Sequence, residues 1–498
     1  MKPGRPFQKK WPLTDLLRNA GLHDLEKQVL DQYPFRQDIL ISSFTADSRQ
    51  VIKGRHVVDM SGASSNGEHY LRVVISKGAG VIILSKDISL LQNPDNFCDA
   101  VVLECASPRL AFSRLAGAFF DFEQPGTVAA VTGTNGKTSV VHFMRRIWDF
   151  AGVKSASMGT LGIIREDVSQ DTKITTPHPL VLHQNLSDLK RNGITHLAME
   201  ASSHALDQHR MDSVQLKAAG ITNLARDHID YHGTFEAYKK AKLRLFEDVL
   251  PLGPDFTAVL NKGFEGYEAF TDVARKRKNR IVTIGKTQSD FFISEIRNEE
   301  QGQRVFAEIF GRPYEFLCPV FGGFQIENIM MALALCASCD LHIHLDDFIG
   351  ALEKITSPPG RLQRIEVMDH PNRTKIFIDF AHTEDALLRV LTELRGHTPG
   401  RLICVFGCGG DRDRTKRPAM GRIANKYADL TIVTDDNPRT EDPAAIRAEI
   451  LRAVPDAHDI PDRKEAIAKA LGLAKNGDTV VIAGKGHETG QIVGDTVL

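Results

Sequence analysis

The chain has 498 residues, 42% apolar and 25% charged, with 62 Lys and Arg against 63 Asp and Glu. That length exceeds a single hydrophobic core and predicts about two to four domains. A balanced charge that is not segregated along the chain argues against a nucleic-acid binder or a disordered protein.

Seven cysteines without framework spacing suit a reducing compartment, and no apolar run approaches membrane-spanning length. The first 14 residues are basic but short and poor in serine, and no signal-peptide apolar region follows, so neither an organellar nor a secretory leader is expected. A cytoplasmic protein, working as a monomer without nucleic acid or membrane, is the expectation.

The first segment, residues 1–123, alternates helical stretches with short strands at 80–84 and 100–103. A second begins after Glu123-Gln-Pro-Gly, and residues 127–139 read there as a buried strand running into a glycine-rich turn: Gly133, Thr134, Asn135, Gly136, Lys137, Thr138, Ser139. Such a turn offers backbone N–H groups to phosphate oxygens, a lysine to the terminal phosphates and a hydroxyl to Mg²⁺, so a nucleoside triphosphate is expected. Val131 stands where the commoner version of this loop has its first glycine, which argues against a switch GTPase. Val140, Phe143, Met144 and Ile147 then recur at helical spacing.

Buried parallel strands are predicted at 128–132, 195–199, 219–223 and 258–260. The third segment, 358–498, starts at the break Ser357-Pro-Pro-Gly-Arg and repeats the pattern at 375–378, 402–406, 430–433 and 479–483. Polar clusters stand directly after these runs: Glu200-Ala-Ser-Ser-His, Asn223-Leu-Ala-Arg-Asp-His, Asp379-Phe-Ala-His, Gly407-Cys-Gly-Gly-Asp-Arg-Asp, Asp435-Asp-Asn-Pro-Arg and Gly484-Lys-Gly-His-Glu. Ligands in open α/β sheets bind beyond the carboxyl ends of the strands, so two facing sites are expected.

Glu200 is a candidate metal ligand, directly or through water, and His228 another. Zinc fails on spacing, because His204 and His209 lie five apart and no cysteine pair accompanies them. Asp227 and Asp230 could instead cap a helix. Cys336 and Cys339 read as packing residues, Arg275 to Arg280 as an exposed helix end. Arg412 and Arg414, in a glycine-rich loop, suit carboxylate or phosphate binding or simple surface charge.

Taken together, Asp47-Ser48-Arg49, GTNGKTS, MEASSHALDQHR, TNLARDHIDYHG, FAHTEDAL, VFGCGGDRDRTKRP, TDDNPRTEDP and AGKGHE make residues 40–498 resemble the Mur ligases, specifically those that add the third amino acid to UDP-N-acetylmuramoyl-L-alanyl-D-glutamate. The resemblance implies an α/β fold of three domains: a UDP-binding domain, a central P-loop ATPase domain with a mostly parallel sheet, and a C-terminal Rossmann-like domain. It implies ATP and Mg²⁺, with transfer of the γ-phosphate to a carboxylate and attack of an amine on the acyl phosphate.

By similarity Lys137 serves the β and γ phosphates, Asn328 adenine, and Arg361, Asp379 and His382 the rest of the nucleotide. Thr138, Glu200, His228 and a carbamylated Lys242 serve the metal. Ser48, Thr175, Thr176, Ser202, Gln208 and Arg210 take the nucleotide sugar and dipeptide. Asp436, Asn437, Pro438 and Arg439 resemble the signature for meso-diaminopimelate over L-lysine; Arg439 and Arg412 would meet the distal carboxylate of diaminopimelate while Gly484 and Glu488 hold its ammonium.

The chain departs from the family in Val57-Val-Asp-Met, in Gln325 for an asparagine and in His178 after the Thr-Thr-Pro run. It also ends at Val497-Leu498, where relatives continue, which reads as a truncation.

Overall fold

The computed structural model describes residues 10–45, 56–58, 74, 76–85, 100–366 except 167, 173 and 341, then 374–494 and 496–497. Two compact units emerge: Met1–Asn135 with Val153–Ala258 and Glu265–Ile281, and Gly136–Gly152 with Val259–Phe264 and Val282–Leu498. Among the described residues no helix is long and apolar enough to cross a membrane.

The first unit opens with the helices Leu13–Asn19 and His23–Gln32 and an all-parallel sheet of Phe44–Thr45, His56–Val58, Val81–Ser85 and Val101–Cys105. The helix Pro108–Phe119 begins with proline, whose missing N–H costs nothing in a first turn. Its apolar face carries Phe112, Leu115 and Phe119 into a core with Leu16, Leu17, Ile83 and Leu103, where Phe44 meets Phe112 edge-on at 5.4 Å.

The rest of that unit is a parallel array, Ser155–Gly159, His196–Glu200, Thr127–Thr132, Ala218–Ile221, in that spatial order. Thr127–Thr132 precedes both neighbours in sequence and lies between them. The chain therefore leaves it in one direction for Ser155–Gly159 and returns to its other side later. That reversal is a topological switch point, and ligands bind outside the carboxyl ends of the strands there. An antiparallel hairpin, Gly162–Arg165 and Val168–Gln170, extends the sheet edge.

In the second unit the helix Lys137–Phe150 packs on Gly323–Cys339, which is buried nearly all round. Cys336 sits in that packing, its Sγ 3.7 Å from the Met144 carbonyl, as the packing reading of the C-x-x-C required. Phe291–Glu299, Gly302–Ile309 and Arg312–Cys318 form an antiparallel meander. Then comes a sheet in the order Gln363–Ile365, Lys375–Asp379, Thr479–Ala483, Leu402–Phe406, Leu430–Val433, His458–Asp459, parallel after its first strand. Thr479–Ala483, the last strand of this sheet in sequence, lies between Lys375–Asp379 and Leu402–Phe406, so this sheet too has its switch point among the polar clusters.

Three of the predicted strands, 402–406, 430–433 and 479–483, coincide with the observed ones. The others shift by one or two residues, as 219–223 against Ala218–Ile221. The basic run ends the helix Glu268–Lys276 before the strand Arg280–Gly285. The meander was not foreseen: in Gly302–Ile309 buried Val305, Ala307 and Ile309 alternate with half-buried Phe306 and exposed Glu308, a weaker signal than a buried run.

Candidate active site

The glycine-rich loop owes its shape to two positions. Gly133 has φ 145° and Gly136 φ 89°. A methyl group on Gly133 would lie 1.9 Å from Thr222 Oγ1, and one on Gly136 2.3 Å from Asn328 Oδ1. No other residue fits either place.

The turn is tied to the next strand end. Thr134 N–H donates to the Asn223 carbonyl at 3.0 Å, Asn135 N–H to Asn223 Oδ1 at 3.0 Å, and Asn223 Nδ2 and Thr222 Oγ1 donate back to the Asn135 carbonyl at 3.1 and 2.6 Å. Thr134 Oγ1 accepts from Ala225 N–H at 2.9 Å and contacts the Tyr238 hydroxyl at 2.9 Å. The helix that follows starts at Lys137, with buried Thr138 and Ser139 in its first turn and no side-chain cap. A helix start of this kind is one at which leading N–H groups can meet an anion.

One strand away, Glu200 is 1% exposed. Thr160 orients it, donating from its N–H at 2.8 Å and its hydroxyl at 3.2 Å. Gly159 makes room, since a methyl group there would come within 2.1 Å of Glu200 Oε1.

Lys242 is also 1% exposed, unlike Lys239 and Lys240 on the same helix. Its Nζ donates to the Gly133 carbonyl at 2.8 Å and lies 4.6 Å from the Tyr238 ring centre. His228 takes the left-handed conformation, φ 54°, at the head of the short helix Ile229–His232. Asp227 accepts its N–H at 2.9 Å, so Asp227 serves that helix start even though the helix has no true side-chain cap. His204 meets His228 edge-on at 4.8 Å and Tyr231 at a tilt at 4.2 Å between ring centres, and burial, then the neighbouring histidines, push its pKa down.

Five of the sequence-predicted substrate residues meet around Glu200. Thr176 Oγ1 donates to the Glu200 carbonyl at 2.8 Å and accepts from Ser202 N–H at 3.2 Å, while Thr175 and Thr160 hydroxyls lie 3.2 Å apart. Ser202 caps the helix Ser203–Asp207 through Ala205 N–H. Arg210 donates to the Thr176 carbonyl at 2.8 Å and to Gln208 Oε1 at 2.7 Å; Gln208 in turn reaches the Tyr231 hydroxyl at 2.9 Å. Ser48 lies outside the described residues.

In the second unit Asn328, 6% exposed, donates to Gln325 Oε1 at 2.9 Å, and Gln325 donates to the Arg361 carbonyl at 3.0 Å. Gln325, the departure from the family's asparagine, is thus a bridge. Asp379 accepts Leu362 N–H at 2.6 Å and Ala381 N–H at 2.7 Å. Burial pushes its carboxyl up to about 6, against the pull of Arg361 and those two N–H groups. The Arg361 guanidinium lies 4.3 Å from the Phe380 ring centre. His382 is exposed, with Nδ1 2.9 Å from the Phe380 carbonyl.

The remaining predicted residues gather at the C-terminal strand ends. Asn437 Nδ2 donates to Glu488 Oε2 at 3.0 Å, and Lys485 Nζ donates to Asn437 Oδ1 at 2.9 Å. Asp436 accepts Asn437 N–H at 2.7 Å, and its carboxylate would be 2.8 Å from a methyl group on Gly484. Arg439, φ 53°, donates to the Gly410 carbonyl at 2.7 Å. Pro438 presses its carbonyl on Gly410, where a methyl group would come within 1.9 Å. Arg412 stays exposed, 3.3 Å from the Asp411 carbonyl, while Arg414 pairs with Glu441 at 2.8 Å.

Sequence reasoning passed over Thr160, Thr222, Tyr231, Tyr238 and Lys485. Lys485 lies inside a polar cluster and Tyr231 inside the motif that runs on from another, so both were legible by position. Thr160 carries no such signal.

Residues 131–336 match the Mur ligase middle domain, and residues 360–486 the Mur ligase glutamate ligase domain. Proteins named UDP-N-acetylmuramoyl-L-alanyl-D-glutamate--2,6-diaminopimelate ligase are similar over nearly the whole chain. That of Mesorhizobium japonicum is 41% identical, covering 93% of each chain, and that of Chelativorans sp. 42% identical, covering 92% of each. A solved structure of the same name matches with a TM-score of 0.67 at 32% identity, over 94% of this chain and 93% of its own. A folylpolyglutamate synthase of Mycobacterium tuberculosis complexed with ADP and AMPPCP shares the fold, with a TM-score of 0.61 at 17% identity over 76% of this chain and 92% of that one. With a phosphate loop, a buried strand-end carboxylate and a polar C-terminal strand-end cluster in the matched domains, the chain belongs to the Mur ligase family.

Proposed function

We propose that this chain is an ATP-dependent, ADP-forming ligase that joins meso-diaminopimelate to the D-glutamate of UDP-N-acetylmuramoyl-L-alanyl-D-glutamate, in the cytoplasmic synthesis of peptidoglycan precursor. Residues 1–123 would hold the uridine end, 124–357 ATP and 358–498 the incoming amino acid. An oxygen of the glutamate γ-carboxylate attacks the γ-phosphorus and ADP leaves. The amine then attacks the acyl carbon, phosphate departs and the nitrogen loses a proton. Such chemistry asks a protein chiefly for positioning and charge neutralisation.

The residues fit that task. Lys137 and the helix N-terminus suit the β and γ phosphates, with Asn328, Arg361, Asp379 and His382 for the rest of the nucleotide. Among the described residues no three His, Cys, Asp or Glu side chains form a metal cage. Thr138 and Glu200 supply the one or two protein oxygens that Mg²⁺ takes beside phosphate oxygens, and these two with the His228 ring nitrogen would hold it. Bound there, Mg²⁺ would neutralise phosphate charge. Lys242, buried against the loop carbonyl, would repel such an ion as an ammonium and attract it as a carbamate. Thr175, Thr176, Ser202, Gln208 and Arg210 would take the dipeptide, with Ser48 toward the nucleotide sugar.

One observation carries the choice of amino acid: a single loop presents the cation Arg439 and, through Asn437, the carboxylate of Glu488. A two-headed amino acid needs both, a cation for its second carboxylate and an acceptor for its second ammonium. Lysine would leave the arginine unpaired, and sites built for a polar group reject analogues lacking it. Mass spectrometry of the product from UDP-muramoyl dipeptide, ATP and either amino acid tests this. Diaminopimelate is expected to add, and preferential addition of L-lysine would overturn the assignment.

A further inference from the structure

The loop that carries Arg439 is held in place from beneath by charges outside the proposed site. Arg417, in the helix Lys416–Tyr427, is fully buried. Its Nη1 donates to Glu441 Oε2 and to Glu449 Oε2 at 3.1 Å each, and its Nη2 to Glu441 Oε1 at 2.8 Å and to the Gly409 carbonyl at 3.4 Å. Glu441 also accepts the Asp411 N–H at 2.6 Å. Asp411, at φ 54°, answers by accepting Thr440 N–H at 3.2 Å and Thr440 Oγ1 at 2.7 Å. Gly410 N–H donates to the Asn437 carbonyl at 2.9 Å. The glycine-rich loop of Arg412 and the loop of Asn437 and Arg439 are thereby fastened to each other.

Burying a guanidinium seldom adds net stability compared with an apolar side chain, so a buried ion pair is weak evidence of a stabilising role. What this pair does is geometric. Glu441 has one oxygen on the Asp411 backbone and both on Arg417, so it fixes the spacing between a backbone turn and the helix beneath it. A planar fork meeting a carboxylate in two bonds sets direction as well as distance.

We propose that Glu441 and Arg417 are positioning residues for recognition of the second head of the incoming amino acid. They act through the Asp411 turn on Arg439 and Asn437. This rests on the reading of the Asp436 to Arg439 loop as the amino-acid site, and the test separates the two.

Steady-state kinetics for Glu441→Gln, Thr440→Val and Arg439→Ala would be measured with diaminopimelate and with lysine, beside melting curves. Glu441→Gln is expected to raise the KM for diaminopimelate roughly tenfold to a hundredfold, as small misplacements do. The KM for ATP and the kcat should hold, and the preference for diaminopimelate over lysine should shrink. Thr440→Val, at an exposed bond, is expected to shift the same way by less, and decides the matter if the Glu441 variant does not fold.

Unchanged diaminopimelate KM in the Glu441 and Thr440 variants, with a raised value in Arg439→Ala, would overturn the inference alone. Parallel loss of stability and kcat with an unchanged amino-acid preference would also overturn it, as the mark of a merely structural pair. An Arg439→Ala enzyme with wild-type KM and preference would remove the site reading itself.

Discussion

Two strand-end loops of this molecule are made rigid in opposite ways. The loop at Gly133 to Gly136 uses backbone geometry: two glycines at positive φ, with Thr222 and Asn223 closing hydrogen bonds onto its peptide groups. The loop at Asp436 to Glu441 uses charge: Arg417, Glu441 and Asp411 hold it through side chains drawn from three stretches of sequence. Phosphates are alike in every nucleotide and are met by N–H groups, which any sequence supplies once the turn is right. An amino acid's second head has a particular charge pattern, which only side chains can match.

The largest effect should come from breaking the first loop's geometry. Gly133→Ala places a methyl group 1.9 Å from Thr222 Oγ1 at φ 145°, and ATP-dependent phosphate release is expected to fall roughly a thousandfold with the fold intact by circular dichroism. Near-normal release would show that the loop tolerates side chains and is no cradle.

Next is Lys242→Ala, which removes the buried group touching the Gly133 carbonyl. Activity should drop about a hundredfold and return in part with added short carboxylic acids, in the manner of a lost metal-site carboxylate. Full activity without any supplement would refute the carbamate.

Arg439→Ala tests the charged loop. A loss of about 2 kcal/mol, roughly thirtyfold in kcat/KM for diaminopimelate, is expected with the ATP dependence preserved. A weakened ATP dependence instead would place Arg439 on the nucleotide.

The smallest effect is an acid one, and it separates the regions by pH. Burial pushes His142, in the helix that follows the glycine-rich loop, down to about 3, and His183 and His397 to about 4. Below about 6.5 the unfolded chain takes up protons that these folded histidines refuse, so stability is lost as pH falls from there toward 4. Asp379, raised to about 6, works the other way between 6 and 4, one group against three. Glu441, held near 2 first by its bonds from Arg417, contributes stability that is complete above about 4.5 and vanishes only below it. The melting temperature should therefore fall between pH 6.5 and 5, and His142→Gln should flatten that slope. An unchanged slope would mean that His142 is protonated in the folded protein.

Much of the first loop was readable in advance. Its glycines, its lysine and the apolar run before it are adjacent in sequence, and the strand ends with their polar clusters followed from continuous apolar stretches. The half-exposed meander Phe291–Cys318 escaped notice because alternation over weakly apolar residues gives a faint signal. Thr160, the bridging role of Gln325 and the Arg417 to Glu441 pair escaped for another reason. Each acts on a residue far away in sequence: Glu200 for Thr160, Arg361 for Gln325, Asp411 for Glu441.

The sequence by itself determined the local chemistry: which turn has the form of a phosphate loop, which strands are buried, and which acids, histidines and arginines stand at their ends. Those properties depend on residues that are neighbours along the chain. Tertiary structure alone decided which of these groups are oriented and which are merely present. Orientation comes from partners that burial selects, as Thr160 is selected for Glu200 and Arg417 for the loop of Arg439. A buried polar group must find its bond wherever the fold brings one within reach.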